Sequence, residues 1–278
     1  MPQTSILITG CSSGIGYCTA IMLKQRGYRV FASARREADL EPLKAQGIET
    51  VQLDVNDSDS MQRALDYILS LTGGTLDALF NNAGFLQTGA IEDLNRDMMR
   101  AQFETNVFGL MELTQRVLPI MRKQGHGRII QNSSILGVIT IPLCGAYTAS
   151  KHALEGFSGT LRQELRGTNI HVALINPGPI TSKLRDNAYQ KHQTSIKPHA
   201  SPHHEAMYQR LEQTYFKPSK ADKWMAKGPE AVVKKIIHAL ESKHPNAHYF
   251  IGMPAQILAF LRRILPDCVM DWMLSKAR

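Results

Sequence analysis

Short apolar runs rich in β-branched residues alternate along this chain with longer stretches whose apolar positions recur at helical spacing. The first kind reads as strand: SILIT (5–9), YRVFASA (28–34), IETVQLDV (48–55), LDALFNN (76–82), GRIIQNSS (127–134), IHVALINP (170–177) and HYFIG (248–252). The second reads as helix, over 15–26, ahead of Gly47, over 61–71, 103–121, 147–165 and 229–241. This alternation predicts right-handed βαβ units and a mostly parallel sheet with helices on both faces. The fold class expected is α/β, a doubly wound Rossmann fold, in one domain spanning 1–278.

The pattern lapses over 183–227, which is polar, rich in His and Lys, and punctuated by Pro198, Pro202 and Pro218. A long irregular insertion in a compact domain is usually functional, and this one reads as a lid on the substrate side. Its histidines show no metal-ligand spacing, so no metal is expected. The segment 254–276 is apolar but holds Arg262, Arg263 and Pro266, and its uncharged run falls short of a membrane span. It reads as packed or interfacial helix, with peripheral contact at the inner face of a membrane as the second reading.

Composition narrows the setting. With 278 residues, 43% of them hydrophobic, the chain can bury a sizeable core. The net charge of +8 is spread along the sequence rather than gathered into a patch, so no nucleic-acid partner is expected. Cys11, Cys18, Cys144 and Cys268 are scattered and form no C-x-x-C pair, which suits reduced thiols. The start shows no basic n-region, apolar h-region or cleavage site, and the expectation is a cytoplasmic protein.

TGCSSGIG (9–16) follows a predicted strand and opens a predicted helix, the setting a dinucleotide loop requires. Its glycines allow a tight turn and close approach to a pyrophosphate, and the helix N-terminus offers free N–H groups. About 20 residues on, where an NAD-binding fold places an acid against the adenosine ribose, the second strand ends in Ala34, Arg35 and Arg36. An arginine there can pair with a 2′-phosphate, helped by the hydroxyl of Ser12 or Ser13, so NADP(H) is expected over NAD(H).

Tyr147 and Lys151, in YTASK, stand four apart on a helical stretch and so share a face. Bringing a phenol from about 10 to about 7 needs roughly 4 kcal/mol. An ammonium about 4 Å away at an effective dielectric near 20 supplies about that much. Tyr147 then serves as general acid or base for a carbonyl and alcohol pair. Ser134, after the fifth strand, offers a hydroxyl to the substrate oxygen, and Asn106 can support a proton relay if its helix is locally disturbed.

Together these motifs resemble the short-chain dehydrogenase/reductase family in its compact branch: TGCSSGIG, LDV with Asp54, NNAG (81–84), Asn106, Ser134, YTASK and NPGPI (176–180), in the family's order as far as about Ser182. The resemblance implies a catalytic tetrad of Asn106, Ser134, Tyr147 and Lys151, with Lys151 also on the nicotinamide ribose. It implies cofactor contacts from Gly10, Ser12, Ser13, Gly14, Ile15 and Gly16 in the loop, Asp54 and Val55 at adenine, and Asn82, Ala83 and Gly84 beside the adenosine ribose. Pro177, Gly178 and Ile180 would meet the nicotinamide. Ser182 stands where relatives often carry threonine, leaving its hydroxyl and that of Thr181 as alternatives for the carboxamide. GCSSGIG, the arginine after the second strand and ALEG after Lys151 are similar to the 17-beta-hydroxysteroid and retinol dehydrogenase-like group, which includes bacterial NADP-dependent aldehyde reductases. A seven-stranded sheet and a homodimer or homotetramer are implied in the same way.

The residues expected around the pocket, Phe85, Leu86, Leu136, Ile141, Leu143 and Cys144, are mostly apolar and suit a hydrophobic aldehyde, ketone or alcohol. A cofactor-sensing regulator would keep the fold but commonly lacks the catalytic tyrosine or lysine. A lyase or epimerase of the extended branch would carry TGxxGxxG and a longer C-terminal domain, and neither pattern is found.

Overall fold

A computed structural model describes residues 3–217 and 226–276. Seven strands, β1 (Ser5–Ile8), β2 (Arg29–Ala34), β3 (Glu49–Gln52), β4 (Ala78–Asn81), β5 (Gly127–Asn132), β6 (Ile170–Pro177) and β7 (His248–Ile251), form one sheet ordered 3-2-1-4-5-6-7. Every neighbouring pair is parallel. Each strand falls in a run that the apolar pattern marked.

Helices cover both faces, which is why the central strands are apolar without alternation. Adjacent residues of one strand feed opposite layers. Ile6 and Ile8 pack toward α1 (Gly14–Gln25), while Leu7 packs toward α3 (Ser58–Thr72), beyond the short α2 (Glu41–Lys44). Leu79 and Phe80 of β4 divide in the same way. Asp57 caps α3 by accepting from the N–H groups of Asp59 and Ser60, and Gly73, at φ +68°, ends it.

The helix expected over 103–121 is interrupted. α4 (Arg96–Phe103) passes through a π-helical turn (Glu104–Phe108) into α5 (Gly109–Gln124), and the Gly109 N–H reaches back to the Glu104 carbonyl. α6 (Gly145–Glu164) follows β5 and lies on the same face as α3 and α5.

Over 183–227 the loss of pattern does not mean loss of structure. α7 (Leu184–Ser195) and α8 (Glu205–Thr214) form there; Pro218 and the rest of 218–225 lie outside the described residues. α7 buries only Ala188 and His192, and α8 only Tyr208 and Leu211, too few to register as an apolar face. α9 (Pro229–Glu241) precedes β7, and the closing segment divides at Pro266 into α10 (Met253–Ile264) and α11 (Asp267–Lys276).

Between β1 and β4 the strand order reverses direction, and the loops leaving the carboxyl ends of these strands open a crevice where ligands bind in such sheets. Gly16 packs behind the loop that borders it, against Asn82 and Gly10. A Cβ there would lie 2.5 Å from both Asn82 Nδ2 and the Gly10 carbonyl oxygen, so α1 approaches β4 only because this residue has no side chain. Overpacking of this kind costs about 1–3 kcal/mol, and in Gly16→Ala the thermal midpoint should fall by about 2–4 °C for each of these. Scanning calorimetry measures this; an unchanged midpoint would show that the loop yields freely.

Candidate active site

The glycine loop begins where β1 ends. Gly10 adopts φ +71°, and a Cβ on it would stand 2.9 Å from Ala83 Cα. Ser13 occupies the N-cap position of α1 in extended conformation, yet its hydroxyl makes no capping bond. The first turn of α1 therefore keeps N–H groups for an anion, with that hydroxyl beside them. Asn82 staples this loop to β4, donating to the carbonyls of Thr9 (2.8 Å) and Gly10 (3.0 Å) while its Oδ1 accepts from Asn132. The Thr9 hydroxyl accepts from the N–H groups of Asn82 and Ala83. Backbone turned outward at a helix N-terminus, over a long crevice, fits the phosphates of a dinucleotide.

That crevice is a cleft of about 580 Å³. It is lined by Gly10, Ser12, Ser13, Gly14, Ile15, Arg35, Asp54, Val55, Asn82, Ala83, Gly84, Tyr147, Lys151 and Ser182 among the residues expected from sequence. Gly16, Asn106, Ser134, Pro177, Gly178 and Ile180 are not on its wall. Gly16 packs α1 as described, and the Gly178 N–H bonds to the Ile251 carbonyl. Ile180 pairs with Lys227 in an isolated bridge, and Thr181 bonds the same residue through its backbone N–H. Of the two hydroxyl residues left open, Ser182 is the one on the cleft.

On the cleft wall α6 presents Tyr147 and Lys151, both buried. Lys151 Nζ donates to the Asn132 carbonyl at 2.6 Å and stands 5.6 Å from the Tyr147 ring centroid. Burial pulls the ammonium down to about 8, against which the Glu155 carboxylate holds it up. Tyr147 differs from the sequence expectation. Burial pushes its phenol well above the ordinary value; the Ser134 hydroxyl, in hydrogen-bond contact, works the other way, and Tyr215 and Cys144 add to the rise. Burial thus outweighs the Ser134 hydrogen bond, and Lys151, with Nζ 5.6 Å from the ring centroid, does not figure among the influences on the phenol.

Ser134 also caps the turn after β5, its hydroxyl accepting from the Leu136 N–H at 3.1 Å. Asn106 lies in the π turn, so the local disturbance expected of its helix is present. Its side chain is fully committed. Oδ1 accepts from the Phe85 N–H, and Nδ2 donates to the Phe85 carbonyl and the Ser150 hydroxyl. The Ser150 hydroxyl in turn donates to the Tyr147 carbonyl. Asn106 therefore positions the site's walls rather than facing the cleft.

Around Tyr147 the packing is apolar: Leu86, Leu136, Ile139 and Cys144 are buried with it, and Ile141, Leu184 and Tyr215 lie against them. Leu143, expected here, instead packs with Ala90, Ile196, Tyr208 and Leu211, at an unusual φ of +61°. His192 is likewise core, against Tyr208 and Phe216.

Sequence reasoning missed Glu155, one turn beyond Lys151. Its Oε1 accepts from the Ser133 hydroxyl and Asn176 Nδ2, both at 2.5 Å, and its Oε2 lies 3.3 Å from His248 Nδ1. Asn176 Nδ2 also reaches the Ser134 carbonyl. One carboxylate thus ties the loop bearing Ser134 to the helix bearing Tyr147 and Lys151. Spacing alone gave no signal, because a glutamate four after a lysine reads as an ordinary exposed ion pair.

A crevice at the strand-order reversal, a turned glycine loop and a buried Ser–Tyr–Lys group together define a dinucleotide-dependent oxidoreductase site. Comparison makes the family definite: the model of short chain dehydrogenases matches residues 4–193, and the chain belongs to the short-chain dehydrogenase/reductase family. It is 41% identical over 273 residues to the uncharacterized oxidoreductase YbbO of Escherichia coli, covering 98% of this chain and 94% of that one. It is 32% identical to 17-beta-hydroxysteroid dehydrogenase type 6 of Rattus norvegicus, over 98% and 88% of the two chains. The crystal structure of a short-chain dehydrogenase/reductase from Burkholderia phymatum in complex with NAD superposes with TM-score 0.77 at 26% identity, covering 94% and 92%.

Glu155 gives this site a pH signature. Because its charge supports the Lys151 ammonium, Glu155→Gln should lower the Lys151 value further below about 8. The lysine then loses its proton at lower pH. The alkaline limb of a kcat/KM profile should move to lower pH, and a limb left in place would show that Glu155 does not act on Lys151.

Proposed function

We propose that this chain transfers hydride between NADP(H) and the carbonyl or alcohol carbon of a hydrophobic aldehyde, ketone, retinoid-like or steroid-like substrate. The observation that carries this reading is the buried Tyr147 phenol, which lines the cleft, is in contact with the Ser134 hydroxyl and is packed among apolar side chains. When bound, the nicotinamide supplies or accepts the hydride. Ser134 donates a hydrogen bond to the substrate oxygen and holds it toward Tyr147. A phenol kept protonated by burial suits the acid role, giving its proton to that oxygen in the reductive direction. Lys151 holds the ribose hydroxyls and carries positive charge below about pH 8. Asn106 supports the proton relay by fixing Phe85 and Ser150 on either side.

Arg35 supports NADP(H) over NAD(H), because it faces the cleft with no carboxylate partner among the described residues, whereas Arg36 pairs with Asp39 at 2.8 Å. The apolar surroundings of Tyr147 support a hydrophobic substrate. No helix among the described residues is long and apolar enough to cross a membrane. Met253, Ile257, Phe260 and Ile264 form an exposed stripe on α10, which supports contact of this end with another surface.

Two measurements test the reading. With a panel of aliphatic, aromatic, retinoid and steroid carbonyls, Tyr147→Phe should lower kcat by about 10²–10⁴-fold while NADPH binding persists; undiminished turnover would sink the mechanism. Replacing Arg35 with aspartate should raise the KM for NADPH and leave that for NADH less affected, and a wild-type preference for NADH would overturn the cofactor assignment.

A further inference from the structure

Lys191 lies on α7, which the sequence marked only as part of a polar lid, and it lines the same cleft as Arg35. Its Nζ stands 4.3 Å from the centroid of the Phe85 ring, just past the NNAG turn. Several cations of this half of the surface have carboxylate partners, Arg36 of the cleft wall among them. Arg36 pairs with Asp39, Lys44 with Glu37 and Glu41, and Lys197 with Glu212. Arg35 and Lys191 have no carboxylate partner among the described residues, although both line the same cavity.

Two like charges facing one cavity raise each other's energy unless an anion lies between them. Partial burial and the nearby Arg35 guanidinium both pull the Lys191 ammonium below its ordinary value. The Phe85 ring compensates part of this, because its π face attracts the cation and holds the lysine stem against the cleft wall. The arrangement suits a doubly charged group more than a single carboxylate.

We propose that Lys191 is a second phosphate-binding group of the cofactor cleft, closing with Arg35 on a phosphate of the dinucleotide from the lid side. The inference rests on the dinucleotide reading above and extends it. The lid helix holds cofactor as well as covering substrate, so cofactor affinity depends on where α7 sits. Two phosphates offer the same chemistry, the 2′-phosphate of the adenosine ribose and the pyrophosphate, and the test separates them.

Dissociation constants for NADPH and NADH would be measured on the full chain by nucleotide fluorescence, for wild type, Lys191→Gln and Lys191→Arg. Loss of one charge-assisted contact should weaken NADPH binding to Lys191→Gln by about tenfold or more, with Lys191→Arg restoring most of it. A loss confined to NADPH assigns Lys191 to the 2′-phosphate. An equal loss for both nucleotides assigns it to the pyrophosphate. If Lys191→Gln binds both as wild type does and melts at the same temperature, the lysine serves only to cover Phe85 and the proposal falls. A variant that melts early is replaced by Lys191→Met, which keeps the apolar stem, and the same comparison decides. Wild type that binds neither nucleotide would overturn the dinucleotide reading itself, a result distinct from any effect of Lys191.

Discussion

An ammonium carried into an apolar interior needs acceptors and a nearby negative charge, or it gives up its proton, and much of this site answers that demand on Lys151. The Asn132 carbonyl meets Nζ directly, and Glu155 supplies the charge one turn along the same helix. Glu155 stays in place because Ser133, Asn176 and His248 surround its oxygens. Those three residues come from the end of β5, from β6 and from β7. One electrostatic requirement therefore binds three neighbouring strands to α6. Ser134 inherits its position from this arrangement, since its own carbonyl is held by Asn176 and its hydroxyl by the turn that it caps.

Tyr147 stands under the opposite influence. The apolar packing that suits a hydrophobic substrate also disfavours a bare phenolate, and the Ser134 hydroxyl only partly offsets it. Burial thus favours the protonated phenol. A phenolate here calls for additional positive charge close by, which Lys151, with Nζ 5.6 Å from the ring centroid, does not by itself provide.

What could be read from the sequence was local. TGCSSGIG and YTASK carry their geometry in a few consecutive residues, and strands buried on both faces announce themselves as apolar runs, so the sheet, the glycine loop and the Tyr–Lys pair were all legible. Glu155 was not, because its partners are far away in the chain and its spacing from Lys151 is that of any surface pair. Lys191 was hidden for another reason: α7 fully buries only Ala188 and His192, which leaves its sequence looking like loop. Asn106 was found by position, but its commitment to the Phe85 backbone depends on a strand-to-loop geometry that periodicity does not encode. Leu143 was assigned to the substrate wall, yet with its left-handed backbone it packs with Ala90, Ile196, Tyr208 and Leu211.

The reversal of strand order has a consequence for how the molecule comes into being. Gly10, Ser13, Arg35 and Asp54 belong to the unit around β1, β2 and β3, while Ser134, Tyr147, Lys151 and Ser182 belong to the unit built on β4 through β7. Within the sheet the two meet where Ile6, Leu7 and Ile8 pair with Ala78, Leu79 and Phe80 and Asn82 bridges to Thr9 and Gly10; outside it α1 packs on α9, with Arg26 paired to Glu241, and α3 on α5. Neither unit holds a complete cleft. A nascent chain would pass through partly folded states without a finished site, and the joining of β1 to β4 is the event that creates it.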